Sequence, residues 1–238
     1  MCAHWRGLTY GENLDNGEGS PHARFFIPRN ADLRRRSLAI AQTNARALRM
    51  QIWTGLGNPG PRYALHRHNI GFMACDVLAE AHDFGPVQKK FQGWVQEGRI
   101  GAEKVLLLKP ATFMNESGRS VAEALRFYKL EPEALTVFHD ELDLAPFKVK
   151  VRMGGGLAGH NGLRSINQHL GPDFRRVRIG IGHPGHKDRV TGHVLGNYTK
   201  AEMDDLATML GAMASEAQWL ADGDDARFMN DVALRMQD

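Results

Sequence analysis

The sequence predicts a single three-layer α/β/α domain, with a mixed, largely parallel central sheet, over residues 50–238. Three observations lead there. From Met50 onward, short β-like runs alternate with amphipathic helical patterns. Several of those runs end directly in polar or glycine-rich clusters. No stretch approaches the ~18 apolar residues that a membrane-spanning helix needs.

Taken in order, residues 50–56 read as a strand ending in Gly-Leu-Gly-Asn-Pro-Gly. Residues 70–81 carry Phe72, Ala74, Val77, Leu78 and Ala81 at helical spacing. Residues 91–100 and 104–108 read as two strands turning at Gly101-Ala102, and residues 117–128 as an amphipathic helix through Val121, Ala124, Leu125 and Tyr128. Strands are expected at 134–138, 147–153 and 176–181, with a helix at 163–170. Residues 200–220 read as one long helix and 224–236 as another.

Residues 1–49 read poorly as folded structure, since Tyr10 to Ser20 is rich in Gly, Asn and acids. The apolar run Phe25–Ile27 is too short for a secretory signal, and Glu12, Asp15, Glu18 and Asp32 oppose a transit peptide. The expectation is that the native unit starts at Met50, and otherwise that this stretch is a mobile arm.

The chain has 238 residues, 42% hydrophobic and 24% charged, an ordinary globular composition. Its two cysteines, Cys2 and Cys75, exclude a disulfide framework or a thiolate zinc site and fit a reduced, cytoplasmic compartment. The net charge of +3 hides a strong division. Between Lys148 and Arg189 nine bases face two acids (+7), whereas from Ala201 onward nine acids face two bases (−7). The basic segment either attracts a polyanion or is neutralised by the acidic one.

Polar clusters follow four of the expected strands: Asn58 then His68-Asn69; Thr112 to Asn115; His139-Asp140-Glu141-Leu142-Asp143; and Gly154-Gly155-Gly156 then His160-Asn161. In open α/β sheets, ligands bind beyond the carboxyl ends of the strands. If the four strands run parallel, three Asn, a His and carboxylates meet in one cleft. Each feature also has a plainer role: Asn58 as a turn residue before Pro59-Gly60, Asn115 as a helix cap, Asp140 in a solvated acidic loop. Together, however, Asn, His and Asp can bind, polarise and deprotonate a water, with the carboxylate fixing the His tautomer.

Other chemistries lack their signatures. There is no Gly-x-Ser-x-Gly, no His-Glu-x-x-His and no Walker A sequence. The pairs His66/His68 and His183/His186 have no clear partner ligands, although a metal-dependent hydrolase using His68, Asp140 and Asp143 stays open. Gly-x-Gly-x-x-Gly occurs twice, at Gly55-Gly57-Gly60 and Gly154-Gly156-Gly159. In the first, Pro59 and Pro61 postpone the helix that should receive a pyrophosphate; in the second, Asp173 precedes its strand rather than closing it.

Six motifs in order resemble the bacterial-type peptidyl-tRNA hydrolases: Gly55 to Gly60, Tyr63 to Gly71, Lys109 to Gly118, His139 to Leu144, Gly154 to Leu163, and Arg178 to Pro184. The resemblance covers residues 50–200 closely and implies a monomeric, cytoplasmic enzyme without metal or cofactor. That enzyme would hydrolyse the ester between nascent peptide and tRNA in peptidyl-tRNA, recycling tRNA from stalled translation. It implies catalytic roles for His68 as general base, Asp140 as its orienting carboxylate and Asn58. It implies substrate contacts from Tyr63, Met114, Asn115, His160 and Asn161, and a basic pair, Arg152 and Arg178, on the tRNA 5′-phosphate. Leu157 and Ala158 depart from the family's usual glycine-rich loop, and Arg152 stands where Lys is common. The rival expectations are a catalytically inactive tRNA-binding relative and an NAD(P)-dependent oxidoreductase.

Overall fold

The computed structural model describes residues 50–237; the expectation for residues 1–49 lies outside that range. A seven-stranded sheet forms in the order β2-β3-β4-β1-β5-β7-β6, from β1 (Met50–Gly55), β2 (Gln88–Lys90), β3 (Gly93–Ile100), β4 (Glu103–Pro110), β5 (Leu135–Glu141), β6 (Val149–Met153) and β7 (Arg175–Gly180). The central pairings β4–β1, β1–β5 and β5–β7 are parallel, and the flanking pairings are antiparallel. Among the described residues, no helix is long and apolar enough to cross a membrane.

Helices cover both faces, as expected. On one side lie α1 (Ile70–Ala81), α5 (Met203–Ser215), α6 (Ala217–Asp222) and α7 (Asp225–Arg235), packed over Trp53, Phe138, Val177 and Ile179. On the other, α2 (Ser117–Tyr128) and α3 (Asn161–Leu170) pack over Ile52, Leu106, Leu135 and Val137. The alternation Val137/Phe138 between the two cores shows how β5 divides its side chains between faces. A short helix α4 (Val190–Val194) stands at the carboxyl end of the sheet.

Several boundaries differ from expectation, for local reasons. β3 starts at Gly93 because Phe91 and Gln92 take φ of 54° and 51° in a turn from β2, an exposed polar edge strand with no hydrophobic pattern to reveal it. β6 starts at Val149 because Phe147 (φ 63°) reverses the chain. The long helix expected at 200–220 breaks at Glu216, whose buried carboxylate accepts from Trp219 Nε1 at 2.9 Å and from Arg235 Nε at 2.6 Å. The most consequential correction is β6. It runs antiparallel to β7, so only three of the four polar clusters leave parallel strands, and the fourth returns to the site through the loop 154–160.

Close backbone contact sets the position of α1. A Cβ at Gly71 would lie 2.3 Å from both Leu56 N and Phe138 O, and one at Gly55 would lie 2.1 Å from Gly71 O. These glycines let the helix rest directly on β1 and β5, which fixes the turn bearing His68 against the strand bearing Asp140. Gly71→Ala is therefore expected to lower stability by about 1–3 kcal/mol through forced separation of helix and sheet. Thermal melting checks this, with a parallel fall in turnover well below the melting temperature.

Candidate active site

A cleft of about 380 Å³ opens at the carboxyl ends of β1 and β5, with Asn58, His68, Met114, Asp140, His160 and Asn161 on its wall. Asn58 is held there from three sides. Its N–H donates to Asn69 Oδ1, Asn69 Nδ2 donates back to Asn58 O, and Met114 N–H donates to Asn58 Oδ1, each at 2.9 Å. With the amide oxygen engaged, its Nδ2 protons are the groups left to serve the cleft. Asn69, 1% exposed, is the buried strut of this arrangement.

His68 sits in a 3-10 turn just before α1. Its Nδ1 meets Asp140 Oδ1 at 2.9 Å, and His160 Nε2 meets the same oxygen at 3.0 Å. The backbone settles the tautomer of His160. Its Nδ1 accepts from Gly162 N–H (3.1 Å) and Leu163 N–H (3.3 Å), capping α3, so the proton is on Nε2 and is donated to Asp140. Likewise an ionised Asp140 accepts a hydrogen bond from the Nδ1–H of His68, leaving the His68 Nε2 lone pair as the basic site.

Electrostatics supports that assignment. Burial alone would raise the Asp140 pKa, but charge and hydrogen bonds from His68 and His160 outweigh it and hold the carboxyl well below its usual range. For His68, burial favours the neutral ring, and the Asp140 charge and hydrogen bond override it, so its pKa lies above the ordinary 6.5. His139, whose Nδ1 donates to Asp140 O at 2.8 Å, is pushed down to about 3 by burial and by the neighbouring His160, so it is a neutral packing element.

His68, Asp140 and His160 also form the one grouping among the described residues whose ligand-type atoms converge within 4.8 Å. A metal on His160 Nε2 would require the proton to move to Nδ1, against two backbone N–H donors. The trio is thus built as a hydrogen-bond chain. Asp143, one of the three residues of the metal-dependent alternative, is exposed and outside it.

Of the remaining expected residues, Met114 is 4% exposed in the cleft wall, and Asn115 and Asn161 are exposed along it. Asn161 Oδ1 accepts from Arg164 Nη1 at 3.0 Å, which leaves its Nδ2 to donate. Tyr63 lies outside the cleft wall, packed edge-on against His66 at 5.3 Å with Arg62 on its hydroxyl. Arg152 and Arg178 lie on β6 and β7, away from the cleft wall, and Arg178 Nε donates to Glu141 Oε2 at 2.9 Å.

Two features escaped the sequence reading. The wall formed by Val190, Thr191, Val194 and Leu195 comes from a helix too short to show periodicity. The turn carrying His68 is clamped from behind by Arg67, whose Nη2 binds both Glu202 oxygens (2.9 and 2.8 Å) and whose Nη1 donates to Asn197 O at 2.8 Å. The tripeptide Arg67-His68-Asn69 held the signal: all three side chains are used, in three directions.

The comparisons with known proteins point to one family. Residues 52–238 match the family model described as peptidyl-tRNA hydrolase. A protein of that name from Erythrobacter litoralis is 78% identical over 188 residues, 79% of this chain and 100% of that protein. One from Novosphingobium aromaticivorans is 79% identical over 188 residues, 79% of this chain and 98% of that protein. A crystal structure of the Acinetobacter baumannii protein of the same name superposes with a TM-score of 0.72 at 42% identity, over 77% of this chain and 94% of that one.

Proposed function

The chain belongs to the peptidyl-tRNA hydrolase family and hydrolyses the ester between peptide and tRNA, and we propose that it does so with a water activated by His68. The observation that carries the mechanism is the contact of His68 Nδ1 with Asp140 Oδ1, at 2.9 Å, which directs the basic Nε2 outward. His68 Nε2 takes a proton as the water oxygen attacks the ester carbonyl. The Nδ2 protons of Asn58 meet the developing oxyanion, a neutral donor that does not compete for the proton His68 must accept. Collapse breaks the ester C–O bond, and the tRNA hydroxyl recovers the proton from Nε2. Asp140 stays ionised throughout, consistent with its depressed pKa.

Asn115 and Asn161 offer amide groups to the peptide backbone at the cleft mouth, and Met114 offers apolar contact. A blocked amino terminus suits such a lining, whereas a free ammonium would place a charge among donors. Arg152 and Arg178 supply the tRNA phosphate grip, which predicts steep loss of affinity with salt. Residues 50–238 form the hydrolase unit and supply the cleft from one chain, which fits a monomer, and a peptidyl-tRNA substrate fits action in the cytoplasm. The dyad is complete, so an inactive RNA-binding relative is not favoured. Neither is a nicotinamide enzyme, because Gly55 and Gly57 serve close packing against Gly71 and Phe72.

The test is release of N-acetyl-amino acid from N-acetyl-aminoacyl-tRNA in EDTA, beside unblocked aminoacyl-tRNA. Hydrolysis of the blocked substrate alone supports the reading; failure to hydrolyse it while binding tRNA would sink it. In the same assay Asn58→Ala should lower kcat by about 10²-fold, the usual effect of losing one oxyanion donor. An unchanged kcat would move the oxyanion site elsewhere.

A further inference from the structure

We propose that Glu141 is a positioning residue for the phosphate-binding edge of Arg178, so that adjacent residues at the end of β5 serve the two halves of the substrate. This rests on the reading of Arg178 as a tRNA phosphate ligand. Successive side chains of a strand alternate between faces. Asp140 shares the side of Phe138 and α1, where it holds His68; Glu141 shares the side of Val137, where it meets Arg178. The carboxylate of Glu141 is 5% exposed and both of its oxygens are engaged, Oε2 by Arg178 Nε at 2.9 Å and Oε1 by Asp143 N–H at 3.3 Å. It is therefore a fixed anchor.

Anchoring through Nε leaves the other edge of the guanidinium, Nη1 and Nη2, without a partner among the described residues. That edge is the fork that pairs with two phosphate oxygens. Its surroundings call for an anion. The register pairs Arg152 with Arg176 and Lys150 with Arg178 on the same face of the β6–β7 ribbon. Arg176 is 2% exposed, donates through Nη1 to Gly156 O at 2.7 Å, and has Nε and Nη2 unpartnered. Three guanidiniums and the Lys150 ammonium against the single carboxylate of Glu141 leave this face with an excess of positive charge, the complement of a terminal phosphate. Were Glu141 a simple counter-ion it would compete with that phosphate. Held at Nε, it instead orients the competing groups away from itself.

The experiment compares kcat/KM for N-acetyl-aminoacyl-tRNA made with and without a 5′-phosphate, in the full chain, Arg178→Ala, Glu141→Gln and the double variant, with thermal melting alongside. Arg178→Ala should reduce the preference for the phosphorylated substrate by about tenfold or more, as expected for loss of a charged hydrogen bond. Glu141→Gln, which keeps the shape but not the charge, should reduce it by about threefold or more, and the double variant should match Arg178→Ala. If Arg178→Ala leaves the preference intact, the phosphate reading of Arg178 fails. If Arg178→Ala removes the preference while Glu141→Gln preserves or increases it, or slows both substrates equally, Glu141 is only a counter-ion or a structural group and the inference is overturned.

Discussion

His68→Ala is expected to lower turnover on N-acetyl-aminoacyl-tRNA by about 10²–10⁴, the range for a lost general base, with little change in KM. The fold should survive because the ring packs at the cleft surface while the turn beneath it is held independently. Arg67 clamps that turn to Glu202, Asn69 ties it to Asn58, and Gly71 rests it on β1 and β5. A melting temperature near that of the unaltered protein, together with retained tRNA binding, would place the loss in chemistry. The residual rate is also informative, since Asn58 and bound substrate remain correctly placed. A variant with near-normal kcat would show that another group activates the water, and His160 cannot be it, because both its ring nitrogens are engaged within the protein.

The sequence showed which residues gather in the cleft better than the route by which they meet. Asn58, His68 and Asp140 were legible because each follows, or ends, a strand of the parallel centre, where the strand-end rule applies. His160 and Asn161 reached the same cleft although their preceding strand runs the other way; the loop 154–160 crosses back along the sheet, using positive φ at Gly154, Gly155, Ala158 and Gly159. Ala158 takes φ of 45° without being glycine. The unread parts share one cause. β2 is polar and exposed, α4 spans five residues, and the break at Glu216 depends on a carboxylate meeting Trp219 and the distant Arg235. Periodicity registers faces of long elements, and none of these has one. Arg178 shows the converse: its charge was legible, but its pairing with Glu141 required the β5–β7 register.

Asp140→Asn separates the orienting role of this carboxylate from mere bulk. The amide has nearly the same shape, but the atom replacing Oδ1 faces both His68 Nδ1 and the Nε2–H of His160. As a carbonyl it keeps the His68 tautomer without the charge; as an NH₂ it puts the His68 proton on Nε2 and opposes a second donor. Either way the imidazolium formed in the reaction loses its counter-charge, and a loss of about 10²–10⁴ in kcat is expected. The pH profile gives a second, independent sign. In the unaltered protein the Asp140 charge raises the His68 pKa above 6.5 against burial. Since only the unprotonated ring is a base, activity should fall with decreasing pH, with a midpoint above 6.5. Removing the charge leaves burial, which lowers the pKa, so the acid limb of Asp140→Asn should move to lower pH while its plateau drops. A variant that loses rate but keeps the midpoint would mean that Asp140 supports the fold of the site without holding the His68 proton. A midpoint that moves down with little loss of rate would mean that the carboxylate tunes the base but does not fix its tautomer.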